Sequence, residues 1–367
     1  MITTLITRQI SIFFLLIGLS WSALAQTPPA QGLTPAQLQD VATLLTGNEP
    51  ATGLPSAIRD NLKWKIYTKE VQNNWAEYTK KIGAPMVGWA KQNIAKTTDT
   101  VFYPFSGPDF TTVYQLFPDA KRYVMVAMQH AGRPMDLGGH SPLITDQSLE
   151  QLTSAWQLYG TYGFFVTEYL ERYYYASQGK IGASTFLAIF LKLQGFDIER
   201  VTPIKIGTNG EVEELPLDTK LWNSVRFNAT KQGKSIVLDY LRIDLSNQGF
   251  QTAPDTYAFI QQMSVYPTLF KAASHLPQNS NFNMIAKAVL DHAPVVVQDE
   301  TGLNYTALSQ NFDSKLFGKF VIAHQAFQNY HGDLARAFAQ RQDVQPLNFR
   351  FGYYKDGNYV LMVAQRK

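Results

Sequence analysis

The chain has 367 residues, 45% of them apolar and 13% aromatic, with a formal net charge of +3 and no cysteine. That is enough apolar material for a large core, as a single domain or a domain with an appendage, built without disulfides, thiolate chemistry or a lipid-attachment cysteine. The charge is too small a bias to indicate nucleic acid or anionic lipid as a partner.

The first residues, MITTLITRQISIFFLLIGLSWSALA, carry one basic residue (Arg8), an apolar run from Ile10 to Leu19 and the small-x-small ending Ala23-Leu24-Ala25. This is the pattern of a secretory signal peptide cleaved after Ala25, so a periplasmic or secreted protein is expected. No later run reaches the roughly 20 apolar residues of a membrane-spanning helix. Nucleotide cofactors are cytosolic metabolites, so no cofactor is expected outside the cytoplasm.

Residues 26–32 (QTPPAQG) read as a flexible linker, 33–96 as a helical N-terminal region and 97–367 as an α/β domain. Thr34 caps a helix that has Pro35 in its first turn and ends at Gly47. Trp64, Tyr67, Val71, Trp75 and Tyr78 recur at spacings of three and four, which makes Ala57 to Ile82 a helix with an aromatic core-facing stripe. Pro85 to Ile94 adds a third helix.

After residue 97 the period shortens. Val101–Phe105 and Tyr123–Met128 read as buried strands around a helix, Phe110–Phe117. Helices follow at Asp146–Tyr159, Phe164–Tyr175 and Gly182–Gln194, then a strand at Phe196–Ile206, a turn region at TNGEV, and a hairpin of Val225–Asn228 with Ser235–Asp244. Asp255–Met263, Pro267–Leu276 and Phe282–His292 read as helices, the last capped by Asn281. Val295–Val297 is a compact strand, Phe317–Arg341 is mostly helical, and Leu347–Tyr353 with Tyr359–Ala364 form a closing hairpin turned by Lys355–Asn358. Strands alternating with helices early and hairpins later predict a mixed sheet flanked by helices, with a Rossmann-like or methyltransferase-like topology as the fold analogy.

The unit from Val101 to His130 is long enough for a right-handed crossover to a parallel neighbour. Pro108 suits the first helical position, Gly107 the cap, and Asp109 the first turn, where the helix dipole favours a carboxylate. Ser106, Gly107 and Asp109 would then stand at the carboxyl end of a strand, the usual ligand crevice of an open α/β sheet. The following loop, QHAGRPMDLGGHSP, would bring Gln129, His130, Arg133, Asp136 and His140 to the same end. Gln298, Asp299 and Glu300 would join them if Val295–Val297 is also parallel. Each has a plainer reading: Asp109 as a terminal charge, the histidines as solvated loop residues, Asp299 and Glu300 as turn residues.

Other chemistries find less support. SGPD lacks the three-glycine spacing of a dinucleotide site, and there is no HExxH, calcium loop or GxSxG. His324 and His331, seven apart, would stand about 10.5 Å apart along a helix, so no metal is expected there. Ser274 and His275 are neighbours on an expected helix and would point about 100° apart. Ser106 is the better-placed hydroxyl, with His130 or His140 and Asp136 or Asp299 as partners. A carboxylate pair for glycoside cleavage would be Asp109 with Asp299 or Glu300.

YPFSGPDF with the following FPDA, LFKAASHLP and VVQDETGLNY resemble blocks of a family of exported bacterial proteins without an established activity. The resemblance spans residues 97–367 and implies no substrate or catalytic residue. The family's pattern has an acidic residue after the strand ending here at Met128, where this chain has Gln129 and His130. The resemblance therefore implies no carboxylate role at that point.

The leading expectation is a protein that binds a polar small molecule or envelope glycan in the crevice, with Ser106, Gly107, Arg133, Asp136, His140, Gln298 and Glu300 as contacts. The alternatives are a cofactor-free hydrolase of the cell envelope using Asp109, His130 and Asp299, or an interaction protein without a site. A hydrolase should present at least two perturbed titratable groups to one position, whereas a binding module should show aromatic walls and satisfied polar groups without such a pair.

Overall fold

The computed structural model describes residues 34–54, 56–94, 99–133, 146–177, 181–321, 332–353 and 359–367. The expected signal peptide and linker, Asp136 and His140, His324 and His331, and the Lys355–Asn358 turn lie outside the described residues.

Four helices come first: α1 (Pro35–Leu45), α2 (Ser56–Arg59), α3 (Leu62–Tyr78) and α4 (Ala84–Asn93), with a π-helical turn over Thr79–Gly83 joining the last two. Thr34 starts α1 through a capping box, its hydroxyl accepting from the Gln37 amide while the Gln37 side chain accepts from the Thr34 amide. Asn61 caps α3 by accepting from the amides of Lys63 and Trp64. Then follow β1 (Thr100–Pro104), α5 (Phe110–Leu116), β2 (Arg122–Ala127), α6 (Asp146–Tyr162), α7 (Thr167–Ala176) and α8 (Ala183–Leu193). The chain continues through β3 (Asp197–Ile206), β4 (Val212–Glu214), β5 (Ser224–Lys231), β6 (Lys234–Arg242), α9 (Asn247–Thr252), α10 (Pro254–Met263) and β7 (Thr268–Phe270). It closes with α11 (Asn283–His292), β8 (Val295–Gln298), α12 (Tyr305–Asn311), β9 (Phe312–Lys319), α13 (Gly332–Gln340) and β10 (Tyr359–Arg366).

The ten strands form one mixed sheet in the order β4-β3-β5-β6-β2-β1-β7-β8-β10-β9. The five central strands, β6-β2-β1-β7-β8, are mutually parallel, and antiparallel strands finish both sides. From β1 the chain winds outward through β2 to β6, then returns to the other side of β1 with β7 and β8. This is the doubly wound plan, closed as in methyltransferase-like sheets by an antiparallel pair at one edge.

Side chains of a strand alternate between faces, so each sheet face collects its own core. Tyr103, Tyr123, Met125 and Tyr240 point to the face covered by α1, α3–α6 and α8; Phe102, Val124, Val126 and Leu241 point to the face covered by α9–α13. Trp89 of α4 meets Phe317 and Phe349 edge-on, which places the N-terminal helices in the same buried cluster as the sheet. Among the described residues no helix is long and apolar enough to cross a membrane.

Three expected elements differ. Pro267–Leu276 is not a helix: only Thr268–Phe270 is regular, and it is a central strand. Three fully buried residues carry no period to read, and Lys271 with two alanines mimics helix composition. Leu347–Tyr353 is not a strand, because β9 occupies the place beside β10 that it would have taken. The end of β9 also replaces the start of the long helix expected from Phe317. Asn281 does not cap α11; Asn279 instead caps a short 3-10 turn over Ser280–Phe282 that precedes it.

Candidate functional site

Because β1 and β7 are parallel neighbours from which the chain departs in opposite directions, a crevice opens between their carboxyl ends, at the topological switch point. A cleft of about 80 Å³ occupies it, lined by Phe105 and Gly107 after β1, Ala127, Met128 and Gln129 at the end of β2, and Ala273, Ser274 and Leu276 after β7. Thr167, Leu245 and Phe282 complete the wall. Phe105 packs edge-on against Phe282 at 5.8 Å. None of the eleven lining side chains is ionisable.

The backbone of this cleft is unusual. Six described non-glycine residues have positive φ, and four of them are here: Phe105 (57°), Ala272 (52°), Ser274 (53°) and His275 (56°). Gly107 has φ 53°. A left-handed non-glycine residue costs on the order of 1–3 kcal/mol and persists only where neighbours over-determine it.

Successive residues after β7 are each tied down. The Lys271 ammonium donates to Asp109 Oδ2 at 2.6 Å, Thr112 Oγ1 at 3.1 Å and the Gly163 carbonyl at 2.6 Å. The Ala272 amide donates to Asp299 Oδ2 at 2.6 Å, and the Ala273 amide to Thr301 Oγ1 at 2.7 Å. Ser274 Oγ pairs with the Tyr353 hydroxyl at 2.9 Å. Asp109 and Lys271 are only 1% and 5% exposed, so their charges are compensated by each other and by these hydrogen bonds rather than by water.

Asp109 therefore has a different place from the one expected. It is the N-cap of α5 rather than a first-turn residue, its Oδ1 accepting from the Thr112 amide at 3.3 Å and the Tyr159 hydroxyl at 3.2 Å. Pro108 and Gly107 consequently stand one and two positions before the cap. Asp299 is also buried, accepting from the Thr301 amide and hydroxyl at 2.8 and 2.6 Å besides Ala272. Burial raises its pKa while those donors and Lys271 pull it back. Glu300 beside it is pushed well above the usual carboxylate range, first by burial and then by the charge of Asp299. Its Oε2 has no hydrogen-bond partner among the described residues. Both carboxyls are thus shifted in the same direction, Glu300 the further, although hydrogen bonds from the backbone of Glu300 and Tyr353 pull Glu300 back. Both carboxyls lie behind the β7 turn, outside the cleft lining.

The remaining expected residues are scattered. The Ser106 hydroxyl is buried, donates to the Gly107 carbonyl at 2.8 Å and is not among the residues that line the cleft. Gln298 closes its own turn, donating to the Leu303 carbonyl and accepting from the Leu303 amide, both at 2.9 Å. His130 turns to α7, where Nδ1 meets Glu171 Oε2 at 2.9 Å and the ring stacks on Tyr174 at 4.5 Å. Arg133 reaches the Leu217 carbonyl at 3.1 Å and lies over Trp222. His130 and Ala131 are held to α8: the amides of Ala183 and Ser184 at its start donate to their carbonyls.

Among the described residues, the expected residues that line the cleft are Gly107 and Gln129. Two further polar groups of the lining, Thr167 and Ser274, were not expected there; Gln129 Nε2 donates to Thr167 Oγ1 at 2.8 Å and its Oε1 accepts from the Tyr240 hydroxyl at 3.3 Å. The signal for Ser274 was present in LFKAASHLP, but the helical reading of that block hid it. Among the described residues no group of three or more histidine, aspartate or glutamate side chains is placed to hold a metal ion. The chain matches no family model, no curated protein and no solved structure, so the roles of its residues rest on geometry.

Proposed function

We propose that this protein binds an uncharged, hydroxyl-bearing small molecule, such as a sugar unit of an envelope glycan, at the switch-point cleft and does not transform it. The observation that carries this reading is the lining: aromatic walls from Phe105 and Phe282, hydrogen-bonding groups on Gln129, Thr167 and Ser274, and no ionisable side chain among the described residues. A charged ligand would lose its hydration there with nothing to compensate it. The volume of about 80 Å³ is well below the roughly 300 Å³ of a drug-sized pocket, which suits one ring or terminal group of a longer molecule. The signal-type N-terminus supports a ligand met outside the cytoplasm. For the hydrolase reading, no pair of titratable groups faces the cleft among the described residues. Its best hydroxyl, Ser274, is bonded to Tyr353, whose phenol burial pushes up to about 12, a poor base at neutral pH.

Thermal-shift screening of the full chain against mono- and disaccharides tests the proposal. A ligand at 100 times its Kd stabilises by about 2.7 kcal/mol, a clear rise in Tm. The rise should vanish in Phe282→Ala, shrink in Ser274→Ala, and survive in Asp109→Asn even though that variant melts lower. A response kept by Phe282→Ala and Ser274→Ala would place the ligand elsewhere.

A further inference from the structure

A second, larger depression of about 390 Å³ lies on the other side of the short segment that walls the cleft, between α11 and α12. Its floor is aliphatic, made by Ala286, Leu290, Leu303 and Ala307. Its two charged residues, Lys287 and Asp291, pair with each other at 2.7 Å, one helical turn apart, and leave the groove neutral. Among the described residues no aromatic side chain lines it.

Three carboxamides at this groove are held in place by half of their own hydrogen-bonding capacity. Gln278 Nε2 donates to the carbonyls of Glu300 at 3.2 Å and Gly302 at 2.9 Å, which leaves its Oε1 as an acceptor. Asn279 Oδ1 accepts from the Asn281 amide at 2.9 Å, and Asn304 Oδ1 from the Ala307 amide at 3.1 Å; each leaves an Nδ2 with two protons to donate. Fixed amides that present one acceptor and two donors complement the C=O and N–H groups of another main chain. Such groups cost little to order because the fold has already ordered them.

We propose that this groove binds a short extended peptide segment without net charge, its main chain paired with Gln278, Asn279 and Asn304 and one small aliphatic side chain on the Leu290–Leu303 floor. From Asn283 to Asp291 the groove runs about 12 Å along α11, which spans three or four extended residues. A sugar would find no aromatic face to stack on among the described groove residues, whereas the cleft offers Phe105 and Phe282, so a saccharide control separates the two.

The test is hydrogen-exchange mass spectrometry of the full chain with acetyl-Ala-Leu-Ala-Ala-amide at millimolar concentration, and with chitotriose as the saccharide control. The peptide should slow exchange over 278–291 and 303–311. Asn279→Asp and Asn304→Asp keep the capping oxygens but remove the Nδ2 donors, so each should weaken the effect roughly three- to tenfold. The proposal is overturned if the peptide leaves those segments unchanged, if both variants respond like the parent chain, or if chitotriose protects them and the peptide does not. Protection confined to 105–107, 127–129 and 273–276 would assign the peptide to the cleft and also overturn it, independently of the outcome for sugars.

Discussion

The two sides of the turn after β7 differ in kind. Behind it lie Asp109, Lys271, Asp299 and Glu300, four ionisable groups with at most 5% exposure; in front lies a cleft lined by none. The residues that carry the most chemistry in the sequence are thus spent on holding a strained backbone, and the surface they shape is neutral. Breaking each side separately should give separate phenotypes, one in stability and one in ligand response.

The largest effect is expected on the buried side. Lys271→Ala leaves Asp109 buried without its cation and should cost about 3–5 kcal/mol in urea denaturation. In Asp109→Asn/Lys271→Met, with both charges gone, the loss should be clearly less than the sum of the single losses. Gly352→Ala should cost about 1–3 kcal/mol in the same assay, because Gly352 has φ 71° and a Cβ there would stand 2.7 Å from Asp299 Oδ2.

Glu300 predicts a pH dependence. Its folded pKa lies above its ordinary value of 4.5, so between 4.5 and that raised pKa the folded chain holds a proton that the unfolded chain has released. Stability should therefore fall as pH rises through that window, by at most about 1.4 kcal/mol per pH unit for one proton. Glu300→Gln should match the parent chain at pH 4, exceed it at pH 7 and flatten the slope, the remainder belonging to Asp299, which shifts in the same direction. A variant less stable than the parent at pH 7 would mean that Glu300 is ionised in the fold.

The smallest effect is expected at His130. His130→Ala should cost about 1 kcal/mol, the scale of one partly buried hydrogen bond, and leave the response to a cleft ligand unchanged in the thermal-shift assay. A lost response would return the loop after β2 to the site.

Much of the fold was legible because it is written locally. The capping box at Thr34, the all-apolar face of α8, the strands around β2 and the period change after residue 97 depend on residues within one turn or one pleat of each other. Even the placement of Gly107 at a crevice follows from a strand, a turn and a helix in succession. The site itself was not local. Lys271 and Asp109 are 162 residues apart in sequence, and Ala272 and Asp299 are 27 apart. Strand order makes them neighbours, since it sets β7 between β1 and β8.

By itself the sequence determined that the chain is an α/β protein with a mixed sheet and that its chemistry-rich turns follow strands, because periodicity, caps and turn residues act over a few positions. The tertiary structure decided which of those turns face each other, that β7 is a strand at all, and that the charges turn inward while the cleft stays neutral. Those outcomes depend on burial and on partners from distant strands, and a buried charge is settled only where its counter-charge arrives.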